Sequence, residues 1–255
     1  MDLELKDRAF LITGGSDGLG LALARRLVRE EALVAVCGRD SERLAFAREQ
    51  LGPTALCFGA DVTIAEQLDA FIDETLLQFG RLDGAVNNAG RSAGTPVEVS
   101  HDAEWRSDYE LKVISALHVA RRVLPALEET RGSILNVLAI FARTPNANST
   151  PTSASRAAGL ALTKSLANEV GARGIRANAV LIGLIESGQW VRRAADSSLS
   201  LEEFYVKMAE GAKIPLGRVG RSEEFADVAT FLLSPRASYV TGVGVSIDGG
   251  LSPVI

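Results

Sequence analysis

Apolar residues fall along this chain in two alternating rhythms. Short unbroken apolar runs suit strands buried on both faces. Longer stretches with apolar residues every three or four positions suit amphipathic helices. The runs at 9–12, 33–37, 55–59, 83–87, 133–137, 175–181 and 244–247 predict strands. The stretches at 19–30, 41–50, 64–79, 102–129, 152–172 and 222–233 predict helices between them. Gly52-Pro53 stops the second helix, and Ser222 followed by Glu223-Glu224 suits the start of the last one. Pro125 is expected to break or kink the end of the long helix. The segment at about 188–212 is polar and mixed, and is expected to form a helical lid.

Repeated strand-helix alternation predicts an α/β fold with a doubly wound parallel sheet and helices on both faces. No Pro-, Gly- or Ser-rich linker and no repeat interrupts the pattern, so residues 1–255 are expected to form a single domain. In such sheets ligands bind at the carboxyl ends of the strands, near the reversal of strand order. The residues after 12, 87, 137 and 181 lie at such ends and are expected to converge on one crevice.

The first strand runs into Thr13-Gly14-Gly15-Ser16-Asp17-Gly18-Leu19-Gly20 and then into a helix. A helix start exposes unpaired N–H groups and the positive end of its dipole, which attract phosphate. Gly14 permits the sharp turn, Gly18 lets the backbone approach a pyrophosphate, and Gly20 lets the helix pack tightly. Gly14, Ser16, Asp17, Gly18, Leu19 and Gly20 are therefore expected to cradle a dinucleotide, which makes the fold Rossmann-type. The plain alternative is a strand-helix turn without a ligand.

Composition narrows the picture. The chain has 255 residues, 47% of them apolar, and a formal net charge of -5 without a basic stripe. That excludes a nucleic-acid footprint. No apolar run approaches the ~20 residues of a membrane span. The charged start MDLELKDR has no signal-peptide core, so a cytoplasmic protein is expected. Cys37 and Cys57 sit in apolar runs and read as buried thiols, and no metal-ligand spacing appears.

After the second strand, where an NAD-selective site places a carboxylate on the ribose, this chain has Cys37-Gly38-Arg39. A guanidinium there suits a 2′-phosphate, which favours NADP(H) over NAD(H). Two readings compete: Arg39 as a solvated loop residue, and Asp40 as the ribose carboxylate.

The glycine spacing behind Thr13 resembles the short-chain dehydrogenase/reductase family, and the likeness continues through Asn87-Asn88-Ala89-Gly90 to Pro215-Leu216-Gly217-Arg218, Tyr239-Val240-Thr241-Gly242 and Asp248-Gly249-Gly250. The resemblance implies that Asp61 and Val62 flank adenine, that Asn88, Ala89 and Gly90 line the crevice, and that Asn87 is structural. Ile185 and Ser187 fall where the family contacts nicotinamide, although Ile182-Gly183 replaces the family's Pro-Gly there.

The family's reaction is hydride transfer between nicotinamide and a carbonyl or alcohol, assisted by serine, tyrosine, lysine and asparagine. Those positions fall here on Ala139, Thr152, Arg156 and Lys112. Ala139 is chemically inert. Thr152 keeps a hydroxyl, but an aliphatic alcohol is far too weak an acid to stand in for a phenol. Arg156 keeps a charge that can hold cofactor, yet stays protonated and cannot act as a base. Lys112, beside Arg156, is a candidate proton donor with a depressed pKa, against the alternative of a lysine reaching solvent or a carboxylate. Tyr109, Tyr205 and Glu186 are lesser candidates; Tyr239, His101 and His118 read as structural.

Three functions compete. One is an NADP(H)-dependent oxidoreductase with a divergent site. The second is a catalytically silent nucleotide-binding homologue serving as sensor or partner subunit. The third is a non-redox enzyme on the same scaffold. The resemblance also implies a homo-oligomer, a dimer or tetramer, with Ala154, Ala157, Ala158 and Ala161 permitting close helix packing.

Overall fold

The computed structural model describes residues 1–255. In chain order the elements are β1 (Ala9–Thr13), α1 (Gly18–Arg29), β2 (Leu33–Gly38), α2 (Ser41–Leu51), β3 (Leu56–Gly59), α3 (Ala65–Phe79), β4 (Gly84–Asn87), β5 (Gly94–Thr95) and α4 (Asp102–Tyr109). A π-helical turn at Glu110–Ile114 joins α4 to α5 (Ser115–Thr130). Then follow β6 (Ser133–Ala139), β7 (Thr150–Pro151), α6 (Thr152–Val170), β8 (Arg176–Ile182), α7 (Gly188–Ala195), α8 (Leu201–Ala212), α9 (Ser222–Leu233) and β9 (Gly244–Ile247).

Seven strands form one parallel sheet in the order β3-β2-β1-β4-β6-β8-β9. The order reverses between β1 and β4, so the crevice opens beyond Thr13 and Asn87. The alternation of side chains along a strand divides β1 between two cores. Phe10 and Ile12 join Leu23, Leu27, Val36 and Phe225 on the face covered by α1 and α9. Leu11 joins Phe71, Ile72, Val119, Val123 and Leu166 on the face covered by α3, α5 and α6. Parallel strands covered on both faces account for the unbroken apolar runs in the sequence.

Buried polar groups tie the layers. Arg176 of β8 donates to the carbonyls of Leu232 (2.7 Å), Leu233 (3.2 Å) and Ser234 (3.1 Å) at the end of α9. A cation thus meets the negative end of a helix.

Three features differ from the expectations. Pro125 does not end its helix: α5 continues to Thr130, because Val123 and Leu127 are buried anchors while Pro125 and Arg121 face solvent. The carbonyl freed by the proline ring therefore meets water. The long helix is interrupted instead by the π-helical turn around Lys112. A small antiparallel ribbon of β5 and β7 is additional to the expected strands, whereas the lid segment is helical as expected, in two helices, α7 and α8. No helix is long and apolar enough to cross a membrane.

Candidate active site

The phosphate turn is built by close approach. A Cβ on Gly14, which has a φ of 64°, would meet Ala89 Cα at 2.9 Å. One on Gly20 would meet the Gly14 carbonyl oxygen at 2.4 Å and Asn88 Nδ2 at 2.5 Å. Gly18 also has a positive φ, 53°, and a Cβ there would make ordinary van der Waals contact with Gly188 N at 3.6 Å and Ser187 Cβ at 3.7 Å. Asp17 caps α1, its carboxylate accepting from the Gly18 N–H at 2.7 Å. Asn88 holds the turn in place, its amide donating to the carbonyls of Thr13 (3.0 Å) and Gly14 (2.9 Å). The Thr13 hydroxyl accepts the N–H groups of Asn88 and Ala89 at 3.1 and 3.2 Å. Asn87 is bonded to Asn136 at 2.8 Å.

Beyond β2, the Arg39 guanidinium lies 3.3 Å from Asp61, with the arginine side chain 72% exposed. Asp40 caps α2, accepting from the N–H groups of Glu42 and Arg43 at 3.1 Å each. Ser16 lies beside Gly38, where a Cβ would meet Ser16 Oγ at 2.5 Å. Val62 is buried.

The four positions that the resemblance assigns to catalysis lie at the ends of the central elements. Ala139 ends β6, Thr152 opens α6, Arg156 stands one turn further along α6, and Lys112 lies in the π-helical turn. The structure joins Lys112, Thr152 and Arg156 to two residues the sequence did not single out. Lys112 Nζ lies 2.5 Å from Asp108 Oδ1, and both side chains are buried. The Ser155 hydroxyl donates to Asp108 Oδ2 at 2.6 Å. Lys112 also donates to Thr152 Oγ1 at 3.0 Å, and the Ala93 N–H donates to the same oxygen at 2.9 Å. Arg156 Nη1 donates to the Val137 carbonyl at 2.5 Å, and its Nε is buried without an acceptor.

Burial and the neighbouring Arg156 push the Lys112 ammonium down to about 8, against the upward pull of Asp108. Burial also lowers Arg156 to about 10, which leaves it protonated at neutral pH. The cluster therefore holds the buried Lys112, the half-buried Arg156 and one buried carboxylate. A cavity of about 10 Å³ lined by Lys112, Arg156, Asn87, Asn136 and Ser115 lies beneath it, room for about one water and no more.

The Asp108–Lys112 spacing is an ordinary i, i+4 helical pair and was readable as such. Its burial against α6 was not. The lid adds Ser187, whose Oγ is buried without a partner beside Gly18, and Arg192, which reaches Asp17 at 3.2 Å. Ile185 is buried and pairs with Gly220.

The other candidates lie outside this cluster. Glu186 faces Glu223, Glu224, Arg221 and Arg218, and burial raises its carboxyl. Burial likewise raises the Tyr205 phenol on α8. Tyr109 is half-buried on α4, and His118 pairs with Asp69 at 2.9 Å. Tyr239, expected to be structural, is fully exposed at 103% and packs against nothing in the chain.

Strand order, glycine turn and helix start together define a Rossmann-type dinucleotide-binding protein. A family model described as enoyl-(acyl carrier protein) reductase matches residues 14–252. The chain is 33% identical to 2-(S)-hydroxypropyl-CoM dehydrogenase 3 of Xanthobacter autotrophicus, covering 100% of both chains. It superposes with a TM-score of 0.92 on the NADPH-bound form of a short-chain oxidoreductase of Pseudomonas aeruginosa PAO1 described as containing an atypical catalytic center, at 36% identity and 98% and 99% coverage. It matches L-sorbose reductase of Gluconobacter frateurii, complexed with NADPH and L-sorbose, at a TM-score of 0.94, 30% identity and 100% coverage of both chains. The chain belongs to the short-chain dehydrogenase/reductase family of oxidoreductases, whose cofactor is of the NAD(P) type.

Proposed function

We propose that this protein is an NADP(H)-dependent oxidoreductase acting on a carbonyl or alcohol, with Lys112 as its proton source and Arg156 as the cation that holds the cofactor ribose. The observation that carries this reading is the buried cluster of Asp108, Lys112, Thr152 and Arg156 at the ends of the strands beside the phosphate turn. An ammonium held at about 8 matches the need for a general acid near the working pH.

The chain fits such a cofactor. Ser187 Oγ lacks a partner beside Gly18, and the Arg39 guanidinium is 72% exposed. Gly14, Ser16, Asp17, Gly18, Leu19, Gly20, Asp61, Val62, Asn88, Ala89, Gly90, Ile185 and Ser187 would surround it, with Arg39 on a 2′-phosphate. When bound, the reduced nicotinamide supplies hydride to the substrate carbon. Arg156 stays charged and orients; Lys112 supplies the proton.

A second reading, a silent nucleotide-binding homologue, draws on Ala139, which has no hydrogen-bonding side chain, and on the 0% exposure of the Lys112 side chain. Titrating the protein with NADPH and NADH by nicotinamide fluorescence, then screening carbonyls for NADPH oxidation, separates the readings. Micromolar binding favouring NADPH, with turnover on some carbonyl, supports the enzyme. Binding without turnover supports the silent homologue, and no binding removes both.

The protein is also read as a homo-oligomer. Ala157 and Ala161 are exposed along α6, and Ile114 is exposed on the neighbouring long helix. Light scattering showing a monomer at micromolar concentration defeats this.

A further inference from the structure

The hydroxyl of Thr152 is committed as an acceptor and uncommitted as a donor. A threonine hydroxyl carries two lone pairs and one hydrogen. Both lone pairs are taken, one by the Ala93 N–H at 2.9 Å and one by the Lys112 ammonium at 3.0 Å. No acceptor in the protein receives the hydrogen. The Lys112 side chain is 0% exposed, and the cavity it lines has room for about one water, so its ammonium is closed to anything larger. Thr152 itself retains 7% exposure. It is also the first residue of a 19-residue helix, whose positive end favours negative charge developing nearby.

We propose that Thr152 is the catalytic residue that touches the substrate oxygen, and that its hydroxyl passes a proton from Lys112 to that oxygen. This rests on the oxidoreductase reading. Reduction adds a hydride to the carbonyl carbon and a proton to its oxygen. The Thr152 O–H bond breaks as the new alcohol O–H forms. In the same motion an N–H bond of Lys112 breaks and a new O–H forms on Thr152. Thr152 ends as it began, Lys112 ends as a neutral amine, and water returns its proton by the same route after product leaves. The alcohol's intrinsic weakness as an acid ceases to matter, because the acid that loses its proton is the ammonium. Around Lys112 the charges are Asp108, which favours the ammonium, and Arg156 and Arg91, which oppose it.

Three variants test this together: Thr152→Ser, which keeps the hydroxyl, and Thr152→Val and Thr152→Ala, which remove it. NADPH binding by fluorescence serves as the check on folding. The expected result is turnover within a few-fold of wild type for Thr152→Ser. A loss of about 10²-fold or more is expected for the other two at unchanged NADPH affinity. A readout free of turnover accompanies it. In ¹⁵N-lysine-labelled protein, the Lys112 titration moves to lower pH in Thr152→Val, because the ammonium loses an acceptor, and stays in place in Thr152→Ser. Wild-type rates in H₂O/D₂O mixtures are expected to fall on a curved plot, as two protons move in one step.

Thr152→Val turning over within about threefold of wild type, an unmoved Lys112 titration, or a straight isotope plot overturns the relay and leaves the oxidoreductase reading intact. Wild-type protein that binds NADPH and reduces no carbonyl overturns both.

Discussion

Asp108 and Lys112 stand one helical turn apart and form a buried ion pair at 2.5 Å, with both side chains at 1% exposure or less. An exposed i, i+4 pair contributes little. Buried, the same pair opposes the burial and the Arg156 charge that together lower the lysine. Ser155 fixes the carboxylate from α6, so the second helix sets the geometry of a pair that lies on the first.

Asp108→Asn is therefore expected to shift the pH dependence of the proposed carbonyl reduction. Lys112 sits at about 8 with Asp108 in place, and Asp108 pulls it upward. With a neutral amide, burial and Arg156 act unopposed, and the ammonium loses its proton at lower pH. The expected result is a descending alkaline limb of kcat for carbonyl reduction displaced toward acid, with NADPH affinity retained. An unmoved limb shows that Lys112 is not the group being titrated.

The same pair governs stability. Lys112→Met leaves a carboxylate buried without its cation, and Asp108→Leu leaves the reverse. Each is expected to destabilise by about 3–5 kcal/mol, whereas removing both destabilises by clearly less. Denaturant melts of the four proteins measure this. The pH dependence has a definite sign. Folded Lys112 loses its proton at about 8, below its ordinary 10.5, so unfolding takes up a proton between those values. Its contribution to stability therefore rises with pH across that window. The rise is expected to vanish in Lys112→Met; an identical slope in both proteins removes Lys112 as its source.

How far the chain could be read on its own follows from what each feature depends on. The strands were legible because a parallel strand covered on both faces must be continuously apolar, as at 33–37 and 175–181. The tight glycine turn between β1 and α1 was legible because Gly14 and Gly20 occupy places where a Cβ collides with backbone. Thr152, Arg156 and Lys112 were candidates by position in the sequence, but their partnership with one another and with Asp108 was not legible there. Asp108 looks like a solvent-facing helix residue until α6 packs over it, and the π-helical turn that carries Lys112 has no local sequence signal. The β5–β7 ribbon, with two residues in each strand, is too short to show a period. Pro125 misled because its effect depends on whether the freed carbonyl faces water.

The glycines of the turn are expected to separate folding from binding. Gly20→Ala places a methyl against backbone at 2.4 Å and must open the turn. It is expected to lose NADPH binding together with thermal stability. Gly18→Ala meets nothing closer than 3.6 Å, so its strain is confined to a positive φ of 53°, about 1–2 kcal/mol. That protein is expected to fold, yet to bind NADPH more weakly because the methyl stands where the pyrophosphate approaches. Calorimetry and fluorescence titration distinguish the two. A Gly18→Ala protein with wild-type affinity shows that the phosphates do not lie over this turn.

Cofactor choice should turn on Arg39. Its guanidinium is 72% exposed and held only by Asp61 at 3.3 Å, while the neighbouring Asp40 is engaged in capping α2. A 2′-phosphate offers Arg39 a stronger partner than Asp61 does, because it carries more charge and accepts from the planar fork at two oxygens. Arg39→Ala is expected to weaken NADPH binding by roughly tenfold, the modest size reflecting solvent screening at an exposed site. NADH binding is expected to stay the same. Raising salt is expected to erode the wild-type preference for NADPH and leave the Arg39→Ala protein almost unaffected. Equal losses for NADPH and NADH in Arg39→Ala would place the arginine in the architecture of the β2–α2 turn rather than on the phosphate, and selectivity would then have to come from Ser16 or Arg43.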